Sequence, residues 1–145
     1  LEFDAGWPGK FIRQFTTWTI MAKPGSPHLW MVVQDIVQSF RDTMREQNVT
    51  AEGLTLQMLG DVVDTTGPRR FTRSILRSLG ETFNRTLQDT EELLEPKLAG
   101  DVLVLPGYAF AASANTYDEG MEVPPPLVTH HYAGTWKNEK GGEMS

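Results

Sequence analysis

The sequence predicts an α/β domain with an incomplete sheet and three helices. Apolar residues recur at helical spacing from Leu29 to Met44 and again from Ile75 to Leu87. Asp101-Val102-Leu103-Val104-Leu105-Pro106 reads as a buried strand, and a second strand-like run reaches His130-His131 beyond a Pro-rich loop.

Taken in order, Leu1-Glu2-Phe3-Asp4 is strand-like, Gly6-Trp7-Pro8-Gly9 is a turn, and residues 13–22 form an extended or mixed apolar segment. Lys23-Pro24-Gly25-Ser26-Pro27 opens the first helix, with Ser26 as N-cap and Pro27 at the first helical position. Leu29, Val32, Val33, Ile36, Val37, Phe40 and Met44 are expected to face inward, and the helix should run to about residue 47. His28, in the first turn, is expected to be exposed. A shorter helix over 54–64 should stop at Thr65-Thr66-Gly67-Pro68. The third is expected to start near Phe71-Thr72 and to carry Ile75, Leu76, Leu79, Phe83 and Leu87 inward. Residues 101–105 form the buried strand, 108–112 read as its continuation, and 127–133 form another strand after the stiff Pro124-Pro125-Pro126 loop.

A chain of 145 residues accommodates one domain with a real core. The domain is expected to span 1–137, followed by a polar tail over 138–145. A formal net charge of −6 argues against a general nucleic-acid binder or an anionic-membrane binder. With no cysteine there is neither a disulfide nor a thiolate metal site. Two N-x-[ST] sequons, Asn48-Val49-Thr50 and Asn84-Arg85-Thr86, lend some support to a secretory lumen. No apolar run is long enough to cross a bilayer. The chain opens on Leu1 with no signal peptide and reads as a piece of something longer.

Chemistry-bearing residues concentrate in His130-His131-Tyr132-Ala133-Gly134-Thr135-Trp136-Lys137. Paired imidazoles followed by a hydroxyl, an indole and an ammonium are suited to a metal–diphosphate pocket. On a strand His130 and His131 point to opposite faces, so one of them, with His130 preferred, is the metal candidate. The alternative is a pair of ordinary, partly buried histidines. Lys137 offers a point charge for phosphate, Thr135 a hydroxyl, and Trp136 a wall or an indole N–H donor. Glu2 and Asp4 are the catalytic candidates, carboxylates at a strand end where a substrate hydroxyl is often held; solvated strand-end acids are the plain alternative. Gly67 has an ordinary capping role open to it. Arg69, Arg70, Arg73 and Arg77 form a basic cluster whose plain reading is a solvated helix face, although an anion site is the competing one. There is no phosphate-binding glycine loop, nucleophile elbow or His-Glu-x-x-His motif.

Five motifs in this order resemble one family. They are Leu1-Glu2-Phe3-Asp4; Gln14-Phe15-Thr16-Thr17-Trp18-Thr19-Ile20 with Lys23-Pro24-Gly25; Thr66-Gly67-Pro68 with Thr72; Asp101-Val102-Leu103-Val104-Leu105-Pro106; and His130-His131 with Gly134-Thr135-Trp136-Lys137. The chain resembles the C-terminal half of the glycosyltransferase family that includes the fungal initiation-specific α-1,6-mannosyltransferases of the Golgi. The resemblance implies a GT-A type fold that transfers mannose from GDP-mannose to a glycan acceptor with retention, assisted by Mn²⁺, on the lumenal side of the Golgi membrane. It also implies that Gly67, Thr135, Trp136 and Lys137 bind substrate and that Glu2 and Asp4 lie near the sugar or acceptor. The sequence departs from the family in having no Asp-x-Asp, in Thr17 where a second Gln is usual, and in Ser26 within the usual Gly-His-Pro run. An isolated chain without Asp-x-Asp is expected to be inactive. The competing expectation is a non-catalytic carbohydrate-binding or interaction module derived from the same fold.

Overall fold

The computed structural model describes residues 1, 3–4, 13–90, 93–112, 120 and 122–131. In chain order the elements are β1 (Phe3–Asp4), β2 (Gln14–Phe15), α1 (Pro27–Gln47), α2 (Leu56–Leu59), α3 (Val62–Thr65), α4 (Pro68–Phe83), β3 (Lys97–Ala99), β4 (Val102–Val104) and α5 (Tyr108–Ala111). Single 3-10 turns lie at Ala51–Gly53 and Leu87–Asp89. The architecture is mixed helix and strand, as the sequence predicts, but the strands form two separate two-stranded antiparallel sheets. Phe3 pairs with Phe15 in one, and Lys97 to Ala99 pair with Val104 to Val102 in the other. Two backbone bonds join them: Phe3 N–H donates to Leu105 O at 3.0 Å, and Leu105 N–H to Leu1 O at 2.7 Å.

α1 forms as its punctuation dictates. Ser26 Oγ accepts from Leu29 N–H, Pro27 occupies the first turn, and Asn48 ends the helix in the left-handed conformation at φ 50°. α4 starts earlier than its apolar period suggests, because Pro68 fits the first helical position, and it ends at Asn84 with φ 54°. The helix expected over 54–64 is instead two single turns. Gly60 at φ +76° breaks the run, and Asp61 caps the second turn by accepting from Val63 N–H at 3.0 Å.

The core lies where α4 meets α1 and the strands. Ile75, Leu79, Phe15 and Val104 have no exposed surface, and Phe3, Val32, Phe71 and Ala99 complete the cluster. Each fully buried large side chain contributes about 1.5–3 kcal/mol relative to exposure. Phe3 and Phe15 meet edge to face at 5.1 Å. β2 is tied to α4 by Phe15 N–H donating to Thr72 Oγ1 at 2.8 Å, while that hydroxyl donates to Pro68 O.

Four further expectations are corrected. Val33 and Val37 of α1 are 47% and 40% exposed, because the helix buries the side carrying His28 and Val32 and packs Leu29 and Ile36 on the core. The strand at 101–105 is half-exposed: Val104 is buried, Leu103 is not, as befits a hairpin with one face packed. Residues 108–111 are the short helix α5, since Pro106-Gly107 ends the strand. Described residues 127–131 form no strand; Leu127 and Val128 N–H both donate to Ala109 O, docking a bend on α5.

Candidate functional site

A cleft of about 430 Å³ opens between the 19–23 segment, the first turn of α1, β4 and α5. Its polar lining is Thr19, Lys23, Ser26, His28 and Asp101, and its apolar lining includes Leu29, Ile75, Val102 and Phe110. Local sequence explains how each polar group arrives. Ser26 and Pro27 start α1 and fix His28 in its first turn. Asp101 stands at the tip of the β3–β4 hairpin, in a two-residue loop whose first member, Gly100, has φ +64°. Left-handed glycine at that position is what a tight hairpin turn requires. A Cβ there would lie 2.4 Å from the Phe83 ring, so the α4 C-terminus and the hairpin tip approach as closely as they do only through glycine.

His28 joins three elements. Its Nε2 is 2.6 Å from Asp101 Oδ1 and its Nδ1 is 2.7 Å from Ser78 Oγ, with the ring 5% exposed. The His28 hydrogen bond holds the Asp101 carboxyl below the usual carboxylate range, against the opposing effect of desolvation; the charges of His28 and Lys23 add to the lowering. An ionised carboxylate only accepts, so Nε2 donates to it; in the neutral ring Nδ1 then accepts from the Ser78 hydroxyl. The order carboxylate–imidazole–hydroxyl is that of a nucleophilic triad, but Ser78 is 2% exposed and is not part of the cleft lining. A hydroxyl sealed between α1 and α4 has no route to a substrate carbonyl, so His28 and Ser78 act as a fixed support for Asp101.

Further polar contacts stitch α4 to α1 and to α3. Asp35 accepts from Ser74 Oγ at 2.6 Å and from Arg77. Arg69 and Arg73 pair with Asp64, at 2.6 Å for Arg69, and Arg77 also approaches Glu81. Three members of the basic cluster are therefore engaged by acids. Gln14 Oε1 and Arg70 Nε are buried without a hydrogen-bond partner.

The chain is 31% identical over 137 residues to the initiation-specific alpha-1,6-mannosyltransferase of Schizosaccharomyces pombe, covering 92% of this chain and 33% of that protein. A Saccharomyces cerevisiae protein named as a glycosyltransferase, HOC1, is 27% identical over 142 residues, covering 92% and 35%. The initiation-specific alpha-1,6-mannosyltransferase of Candida albicans is 27% identical over 159 residues, covering 97% and 40%. The chain is homologous to a portion of a glycosyltransferase. It spans only 33–40% of the length of these relatives. No family model matches the sequence, and no solved structure matches it significantly.

The structure scatters the sequence-derived candidates. Glu2, Thr135, Trp136 and Lys137 lie outside the described residues. The backbone of Asp4 pairs with Gln14 in the β1–β2 sheet, and its side chain lies outside the description. Gly67 is the N-cap of α4, and a Cβ on it would come within 2.7 Å of Val63 Cα; close packing of α3 on α4 accounts for it, away from the cleft lining. His131 is exposed, while half-buried His130 stacks on Trp18 with ring centroids 4.6 Å apart. Neither lies on a strand, so the argument that they face opposite ways does not apply. Among the described residues no group of three or more His, Cys, Asp or Glu side chains could hold a metal, so these residues do not by themselves fit Mn²⁺.

His28, expected to be exposed, is buried, because its partners arrive from α4 and the β3–β4 hairpin, 50 and 73 residues away. No local pattern announces such a contact. The one usable signal is the Gly100-Asp101 pair, which marks a hairpin tip.

Proposed function

We propose that this chain is the C-terminal part of a mannosyltransferase-like domain that transfers mannose from GDP-mannose to a glycan acceptor with retention, in the Golgi lumen. The observation that carries the reading is the similarity to initiation-specific α-1,6-mannosyltransferases over nearly the whole chain. The absence of Asp-x-Asp means that donor-phosphate and Mn²⁺ binding would depend on acidic residues beyond this sequence, with His130 or His131 as an imidazole contributor and Thr135, Trp136 and Lys137 toward the diphosphate. No helix among the described residues is long and apolar enough to cross a membrane, so the membrane association in this reading rests on the resemblance alone.

The part of the reaction that the described residues speak to is positioning. A carboxylate fixed by an imidazole beside an apolar wall suits a sugar whose hydroxyls must be held while its anomeric neighbour reacts. Replacing the matched third of the S. pombe enzyme by this chain tests the reading. A folded chimera is expected to transfer mannose from GDP-mannose; a folded chimera with no transfer overturns it. A second reading is a carbohydrate-binding module without catalysis, and sugar binding without transfer by the chimera would select it.

A further inference from the structure

We propose that the cleft beside α1 is a binding site for one neutral hexose unit of a glycan, with Asp101 accepting sugar hydroxyls and the His28–Ser78 pair holding that carboxylate in place. The choice of a sugar rests on the glycosyltransferase reading; the site itself rests on four features of the cleft.

The first is size: about 430 Å³ lies within the range of roughly 300–1,000 Å³ typical of small-molecule sites. The second is the acceptor. The Asp101 side chain is 45% exposed, and His28 engages Oδ1 from the buried side. A carboxylate accepts at about four positions, so acceptor capacity is left for hydroxyl donors. The third is charge. Lys23 lines the same cleft as Asp101, so an anionic ligand meets the carboxylate and a cationic one meets the ammonium, whereas a neutral polyol can donate to one and accept from the other. The fourth is the remaining wall. Leu29, Val102, Phe110 and Met21 present apolar surface, which matches the C–H face of a pyranose ring.

The arrangement also explains a buried network that packing alone does not require. A carboxylate used to bind hydroxyls must not rotate, and a long side chain ordered only on binding loses affinity. Here the imidazole fixes Asp101 before any ligand arrives, and Ser78 fixes the imidazole. His28 and Ser78 are positioning residues that act through Asp101.

The test is a titration of the isotopically labelled 145-residue chain with methyl α-D-mannopyranoside, followed by NMR. Saturable shifts are expected at the Met21 methyl, the His28 ring and the Asp101 amide. Asp101→Asn and Met21→Ser are each expected to weaken binding about tenfold, the loss of a charge-assisted hydrogen bond or of apolar contact. Met21 is 91% exposed, so its replacement leaves the fold intact even if Asp101→Asn melts early. Affinity is also expected to fall as pH drops through the Asp101 titration while the circular dichroism spectrum is unchanged, a response that a purely structural carboxylate would not give. Absence of saturable shifts, shifts confined to another surface, or affinity indifferent to both substitutions overturns the proposal. Transfer by the chimera without mannoside shifts in this chain removes the hexose site and leaves the glycosyltransferase reading standing. Mannoside binding with a folded but inactive chimera does the reverse.

Discussion

At the scale of single residues, a few backbone positions decide where the chemistry goes. Gly100 combines a left-handed φ with contact against Phe83, so Gly100→Ala meets both the conformational penalty and a clash. It is expected to cost about 2 kcal/mol or more, read as a lower urea midpoint at unchanged slope. Asn48 and Asn84 both sit in the left-handed region at helix ends, which explains these asparagines without any glycan; Asn84→Gly is expected to be neutral or stabilising, and Asn84→Ala to cost about 1 kcal/mol. Asp101 supplies a pH signature. Its folded pKa is depressed, chiefly by the His28 hydrogen bond, so the stability it contributes is present above its unfolded value and is lost as pH falls through the folded one. Urea titrations should therefore show stability declining below about pH 4, with a shallower decline in Asp101→Asn. Equal declines in the two proteins would contradict the assignment.

At the scale of elements, the α1–α4 pair is the frame, and the two sides of α1 differ. Val32 is buried against the core and Val33, its neighbour, is 47% exposed. Val32→Ala is expected to cost about 1–2.5 kcal/mol through the lost methyl burial and residual cavity, and Val33→Ala to stay within about 0.5 kcal/mol. The same frame explains the polar stitches. Ser74 and Ser78, one turn apart on α4, are small enough for α1 to come close, and each carries a hydroxyl that meets a side chain of α1, Asp35 or His28. The broken 54–64 segment shows local chemistry overriding apolar period. Gly60 takes a left-handed turn and Asp61 caps a new start, an outcome that the Gly-Asp pair carries in its own chemistry once read as a stop and restart.

For the whole molecule, a ligand that binds only the native state raises the melting midpoint. Methyl α-D-mannopyranoside is therefore expected to raise the midpoint of the chain in a concentration-dependent way by calorimetry, and Asp101→Asn to need about tenfold more mannoside for the same rise. Long elements were legible in the residues themselves: α1 from Ser26-Pro27 and its apolar period, α4 from the period of Ile75 and Leu79, the β4 strand from its apolar run. The kinship with mannosyltransferases was legible as well, because it rides on ordered short motifs. The pairing of β3 with β4, the exposure of Val33 and the burial of His28 were not. Each depends on which distant segment covers a given face, and a helix with apolar side chains over more than half its circumference does not say which part will be covered. The amino-acid order by itself thus determined where α1 begins and ends, the acidic character of the chain, and its glycosyltransferase kinship. Only the tertiary structure decided that positions 28, 78 and 101 converge on a cleft, because hydrogen bonds between side chains 50 and 73 residues apart exist only after α4 and the hairpin have packed against α1.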